Sequence, residues 1–187
     1  MRLLLFGGPG AGKGTQARPI AAKFGLTHLS SGDMLRREVA LGTPTGLAAR
    51  GYMDRGDLVP DDVIIGMLVQ PMTDAARDHG YVLDGYPRTV PQAEHGYDVG
   101  RPLDIHVQVV VYLSVPTAEL VRRLLARARG VDDTRDVIAN RIRVFERDTI
   151  PLLDYFTTRG EKVIEIDGTR PVEVVTAAIL RELQPLA

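Results

Sequence analysis

The chain has 187 residues, 44% of them apolar and 25% charged, which is one domain's length with enough apolar side chains for a core and too ordinary a composition for disorder. Its 23 basic residues against 24 acidic ones leave a formal net charge of −1, so no global field draws it to nucleic acid or to an anionic membrane, and any anion site must be local. With no cysteine, disulfides, a thiolate zinc site and a cysteine nucleophile are excluded.

The apolar stretch at residues 3–6 is too short for a signal-peptide core and runs into Gly7-Gly8-Pro9-Gly10, and no apolar run approaches the roughly 18 residues that span a bilayer. A cytoplasmic protein without a membrane segment is expected. Residues 2–6 read as a buried strand, followed by a Gly-rich turn, a helix over about 15–24 and a short apolar segment at 26–30, a βαβ beginning. Helical segments are expected over about 33–41 and 44–55, and another opens at Pro60 with Asp61 and Asp62 in its first turn. Tyr81 to Asp84 is the next strand, and 107–113, apolar apart from Gln108, is a strand buried on both faces. Two helices, about 116–128 and 136–159, precede a fifth strand at 163–166, and an amphipathic helix over about 171–183 closes the chain. The fold class is α/β, a three-layer sandwich around a five-stranded parallel sheet. No repeat and no Ser/Gly linker divides it.

Gly7-Gly8-Pro9-Gly10-Ala11-Gly12-Lys13-Gly14-Thr15 lies directly after a strand and opens a helix. Closely spaced glycines let backbone N–H groups turn inward around phosphate oxygens, the helix N-terminus adds its positive end, and Lys13 reaches the outer phosphates. The string fits G-x-x-x-x-G-K, with Gly14 where a hydroxyl residue is usual and the hydroxyl moved to Thr15. Asp84 ends a strand at the carboxyl edge of the sheet, where ligands of open α/β sheets bind. One such carboxylate suffices for Mg²⁺, which keeps most of its waters; a turn aspartate before Gly85 is the alternative. Of the 23 basic residues 20 are arginine, the other three being Lys13, Lys23 and Lys162, an excess that phosphate recognition or codon bias can produce. Arg123 and Arg127 are four apart and share a helical face, as phosphate ligands or as a solvated basic face. His28, His79, His95 and His106 have no metal-ligand spacing and read as structural or surface residues.

The loop at 7–16, the string Leu29-Ser30-Ser31-Gly32-Asp33-Met34-Leu35-Arg36, the string Gly56-Asp57-Leu58-Val59-Pro60-Asp61 and above all Asp84-Gly85-Tyr86-Pro87-Arg88-Thr89 with Gln92 resemble the adenylate kinase family over nearly the whole chain. The resemblance implies a P-loop kinase of one domain, with a core of residues 1–29, 60–126 and 137–187, a nucleoside-monophosphate-binding segment at 30–59 and a short lid at 127–136 that carries no zinc site. It implies reversible phosphoryl transfer from MgATP to AMP, giving two ADP; no exposed heptad or apolar stripe demands a partner, so a monomer is expected. Gly10, Ala11, Gly12, Lys13, Gly14, Thr15, Arg123, Arg127 and Arg170 would then bind ATP. Ser31, Arg36, Asp57, Leu58, Val59, Gly85, Tyr86, Pro87, Arg88, Gln92, Arg129 and Arg141 would bind AMP. Lys13, Arg88, Arg123, Arg129 and Arg141 would act on the transferred phosphoryl group, and Asp84 would hold Mg²⁺ through water. Ser31 replaces the family's commoner threonine but keeps the hydroxyl, and Arg129 stands one position earlier than the family's arginine before Asp132-Asp133. A pyrimidine-monophosphate kinase on the same scaffold and an ATP-dependent switch are the rival functions; a GTPase lacks support because no lysine stands in Asn/Thr-Lys-x-Asp.

Overall fold

The computed structural model describes residues 1–127 and 134–186. Five parallel strands, β1 (Arg2–Phe6), β2 (Thr27–Ser30), β3 (Tyr81–Asp84), β4 (Val109–Ser114) and β5 (Lys162–Asp167), form one sheet in the order β2-β3-β1-β4-β5. Side chains alternate across the sheet. Leu3 and Leu5 of β1 therefore join one core, with Val82, Val109, Val111 and Leu113, while Leu4 and Phe6 join the other, with Tyr81, Leu83 and Val110.

Helices α1 (Lys13–Phe24), α6 (Thr117–Arg127), α7 (Arg135–Val144) and α9 (Val172–Leu183) cover the first face through Ile20, Leu124, Ile138 and Ile179. Helices α2 (Ser31–Leu41), α3 (Pro44–Arg55), α4 (Asp61–Asp78), α5 (Val90–Gly100) and α8 (Leu152–Thr158) cover the second through Leu35, Ala49, Leu68, Ala93 and Phe156. Two hydrophobic cores on one sheet make the expected three-layer sandwich.

Two expectations are corrected. The helix expected over 136–159 is broken: α7 ends at Val144, Phe145–Thr149 forms a π-helical turn, and α8 starts after Pro151. Pro151 has no N–H to donate and its ring crowds the preceding turn, which disfavours an unbroken helix there, while the widened turn lets both Phe145 and Thr149 be buried. Helix α5 lies in a stretch to which no element was assigned. Thr89 starts it, its side chain accepting from the Gln92 N–H at 3.2 Å, with Pro91 in the first turn.

The register brings the carboxyl ends of the strands level: Ser30 pairs with Asp84, Leu5 with Asp84 and Phe6 with Tyr112. Strand order reverses beside β1, and the crevice between the ends of β1 and β3 is the place where such sheets bind ligands.

Candidate functional site

Gly7 follows β1 and starts a loop that turns through Gly10 at φ +85° and Gly12 at φ +98°, left-handed values that favour glycine. A Cβ on Gly12 would meet nothing within 4 Å, so the backbone there borders open space. The Ala11 N–H donates to the Gly8 carbonyl, and those of Thr15 and Gln16 to the Gly12 carbonyl. Among the described residues no acceptor takes the amides of Gly10, Gly12, Lys13 and Gly14. Unpaired amides around a helix N-terminus are the elements of an anion cradle. Lys13 Nζ donates to the carbonyls of Gly7 and Gly8 at 2.9 and 3.0 Å and lies 4.0 Å from Asp84 Oδ1. Burial pushes the Lys13 ammonium below its ordinary value; Asp84 opposes this, and Arg88, Arg141 and Arg127 add to it.

An open cleft of about 580 Å³ extends from this loop. Gly10, Gly12, Lys13, Gly14, Thr15, Asp84, Pro87 and six arginines (Arg18, Arg36, Arg88, Arg123, Arg127 and Arg141) line it. The arginines come from α1, α2, the β3–α5 loop, α6 and α7, so the fold converges on one point the charges that the sequence scatters. Arg123 donates to Glu119 Oε1 at 2.7 Å and to the Gly168 carbonyl at 3.0 Å, which fixes its direction. Arg88 Nε donates to the Gly85 carbonyl at 2.7 Å, and the Arg88 carbonyl accepts from Thr149 Oγ1 of the π turn at 2.7 Å. Burial weighs against the Arg88 charge, as Arg36 does, and Asp84 supports it; a guanidinium keeps its charge in such surroundings.

A smaller recess opens off the cleft, lined by Gly32, Leu35, Arg36, Met53, Asp57, Leu58, Val59, Ile64, Gly85, Tyr86, Arg88, Gln92 and Arg141. Its lining mixes the apolar Leu35, Met53, Leu58, Val59 and Ile64 with Arg36, Arg88 and Arg141, which line the cleft as well. Gln92 is 3% exposed; its Oε1 accepts from the Arg88 N–H and its Nε2 donates to Asp61 Oδ1, both at 2.8 Å. Tyr86 adds to the lining, its hydroxyl donating to the Gln92 carbonyl at 2.8 Å. The exit of α3 docks on α7 through Asn140 Nδ2, which donates to the Arg55 carbonyl and to Asp57 Oδ1 at 2.9 Å each.

Of the residues singled out in the sequence, Ala11, Ser31 and Arg170 line neither cavity. Ala11 is buried and its amide is bonded within the loop. The Ser31 hydroxyl is buried without a partner among the described residues and sits 2.6 Å from where a Gly85 Cβ would stand. Arg170 is exposed in the β5–α9 loop. Arg129 lies outside the described residues. Conversely His28, read as structural, lines the larger cleft with its Nε2 buried and unpaired among the described residues; Asp61, which ends the string 56–61 but was given no role, bonds Gln92, and Asn140 bonds Asp57 at the site's edge. No group of three or more metal-ligating His, Asp or Glu side chains occurs among the described residues, and no described helix is long and apolar enough to cross a membrane.

Comparison with known proteins agrees with this geometry. The family model described as Adenylate kinase matches residues 5–161. A protein of Nocardia farcinica named adenylate kinase is 43% identical over 183 residues, covering 98% of this chain and 99% of the relative. One of Trichodesmium erythraeum with the same name is 42% identical over 194 residues, covering 100% and 99%, and one of Methanosarcina barkeri is 35% identical over 216 residues, covering the whole of both chains. On the length of these matches, and on the phosphate loop and arginine-lined cleft that accompany them, this chain belongs to the adenylate kinase family.

Proposed function

We propose that this protein is a phosphotransferase that moves the γ-phosphoryl group of MgATP to AMP, reversibly, giving two ADP. The observation that carries the reading is the convergence of an amide-lined phosphate loop, Lys13 and six arginines on one cleft, with a smaller recess beside it that Gln92 and apolar side chains line. ATP lies with its β- and γ-phosphates against Gly10, Gly12, Lys13, Gly14 and Thr15. AMP lies with its base in the recess among Leu58, Val59, Tyr86 and Gln92 and its phosphate between Arg36 and Arg88. Gly85 and Pro87 shape the neck between the two, and Ser31 and Asp57 flank the AMP side.

An AMP phosphate oxygen attacks the γ-phosphorus, the bond from that phosphorus to the β,γ-bridging oxygen breaks, and the electron pair leaves on ADP. The attacking phosphate is largely ionised at neutral pH, so no general base is required, and the rate comes from in-line positioning and neutralisation of spread charge. Arg88, Arg123 and Arg141 supply that positive field together with Lys13, and Arg127 joins them on the ATP side. Arg129, in the short lid, completes the set.

Asp84 fits Mg²⁺: a single carboxylate at the carboxyl edge of the sheet, within 3.9 Å of the space beside Gly14, is the donor that a largely hydrated hard cation takes alongside phosphate oxygens. Asp84 would hold the ion through water, and bound there Mg²⁺ supplies charge neutralisation on the phosphates. No zinc enters the scheme. Residues 30–59 form the AMP-binding segment and 127–136 a short lid on a core of 1–29, 60–126 and 137–187. Their closure keeps water from the γ-phosphorus, since water there would turn transfer into hydrolysis. The protein works as a cytoplasmic monomer with ATP, AMP and ADP as its small-molecule partners.

Incubation with MgATP and AMP, CMP, UMP or no acceptor, followed by ADP analysis, tests the reading. ADP formed with AMP alone is the expected result. Slow ADP release that ignores the acceptor contradicts it.

A further inference from the structure

A side-chain amide can read a base in either of two orientations, and the chemistry of its neighbours decides which. Gln92 has two N–H donors and two lone pairs on oxygen. On one side stands the Arg88 backbone N–H, which only donates; on the other stands the Asp61 carboxylate, which as an anion only accepts. Each contact is 2.8 Å long, and turning the amide over would set N–H against N–H and oxygen against carboxylate. The buried amide is thus locked, with one remaining N–H and one remaining lone pair. Asp61 is itself placed by the first turn of α4.

We infer that Asp61 is a specificity-determining positioning residue: by fixing the orientation of Gln92 it makes the recess accept a 6-aminopurine monophosphate and reject a 6-oxopurine monophosphate. AMP offers an amino donor beside a bare ring nitrogen. IMP reverses both, with a carbonyl oxygen beside a ring N–H, and an amide free to turn over would serve either. The locked amide serves one of them. This inference rests on the assignment of the recess to the AMP base and deepens it. Asp61 touches no substrate atom in the scheme; it acts through Gln92.

The test compares kcat/KM for AMP and for IMP, with MgATP saturating, in the wild type, Asp61→Asn, Asp61→Ala and Gln92→Ala. Asparagine at 61 is nearly isosteric and can face Gln92 with either its oxygen or its amide, so the lock is weakened without a change of shape. Asp61→Asn is expected to reduce the AMP-over-IMP preference about fivefold, the worth of one hydrogen bond, through a higher KM for AMP and with kcat and the KM for ATP unchanged. Asp61→Ala should reduce it at least as far, and Gln92→Ala should remove it, so that adding Asp61→Ala to Gln92→Ala costs nothing further. A preference unchanged in both Asp61 variants while Gln92→Ala abolishes it overturns the role of Asp61 alone. A preference unchanged in Gln92→Ala overturns the base-reading role of Gln92 and the inference with it. Thermal melts of all five proteins, the double variant included, accompany the kinetics. Should Asp61→Ala unfold, Asp61→Asn carries the decision.

Discussion

At the scale of single residues, the site is a set of side chains held by contacts that substrate does not have to create. Arg88 is the clearest case: its Nε is anchored on the Gly85 carbonyl and its own carbonyl is held by Thr149, so the guanidinium is aimed before phosphate arrives. Arg88→Ala is expected to lower kcat/KM for AMP by about 10²–10³-fold, the usual effect of losing one charge-stabilising donor, with the circular dichroism spectrum unchanged. Tyr81 provides the contrasting case of a residue that matters only to the core. It is fully buried, and its hydroxyl donates to the Ile105 carbonyl; burial pushes its pKa far above the ordinary tyrosine value. Tyr81→Phe leaves that carbonyl without its donor, so urea titration should show a loss of about 1–3 kcal/mol, while the KM for either nucleotide stays as it was.

At the scale of elements, the proposed AMP side depends on how closely α2 and α3 pack. A Cβ at Gly46 would stand 2.2 Å from the Glu38 backbone carbonyl oxygen, so Gly46→Ala must force the two helices apart. The expected cost is about 1–3 kcal/mol, and because Arg36 lies on α2 while Leu58 and Val59 follow α3, the KM for AMP should rise and that for ATP should not. Steady-state kinetics with each substrate varied in turn separates the two. Elements bounded by strong punctuation were legible in the sequence: β3 is found at Tyr81–Asp84, and α3 at Pro44–Arg55 between a Thr43 cap and Gly56. Helix α5 was not, because Val90–Gly100 carries one proline, two glycines and too few apolar residues for a 3.6-residue period. The π turn was hidden inside a continuous helical pattern. Site residues followed the same logic. Contiguous strings such as 7–16 and 84–92 were readable because their chemistry is local, whereas the places of His28 and Asn140, and the contact of Asp61 with Gln92, arise only through strand register and helix packing.

At the scale of the whole molecule, acid should loosen the fold. Hydrogen bonds from Arg122 and Arg123 hold Glu119 down to about 2, and Arg55, Arg2, Arg147 and Thr169 lower Asp57, Asp104, Asp148 and Asp167. A carboxylate depressed in the folded state contributes stability that is full above its unfolded pKa of about 4 and lost as pH falls through the folded one. His106 has the same sign, since burial lowers its pKa below 6.5 and the unfolded chain takes up that proton first. Glu161, raised by burial, has the opposite sign, one carboxyl against these six groups among the described residues. Calorimetry should therefore find a melting temperature that climbs from pH 2 to about pH 7, with a weaker slope at high salt because most of these pairs are exposed. A melting temperature flat between pH 2 and pH 5 would contradict the assignment. The proposed closure over the substrates belongs to the molecule as a whole, and it is tested most directly by what the cleft does with water. The decisive experiment follows ADP in MgATP with AMP and without any acceptor. Rapid formation of two ADP per ATP consumed with AMP, and almost none without it, is the outcome predicted here; equal rates with and without AMP would mean that the arginine-lined cleft serves hydrolysis and not transfer.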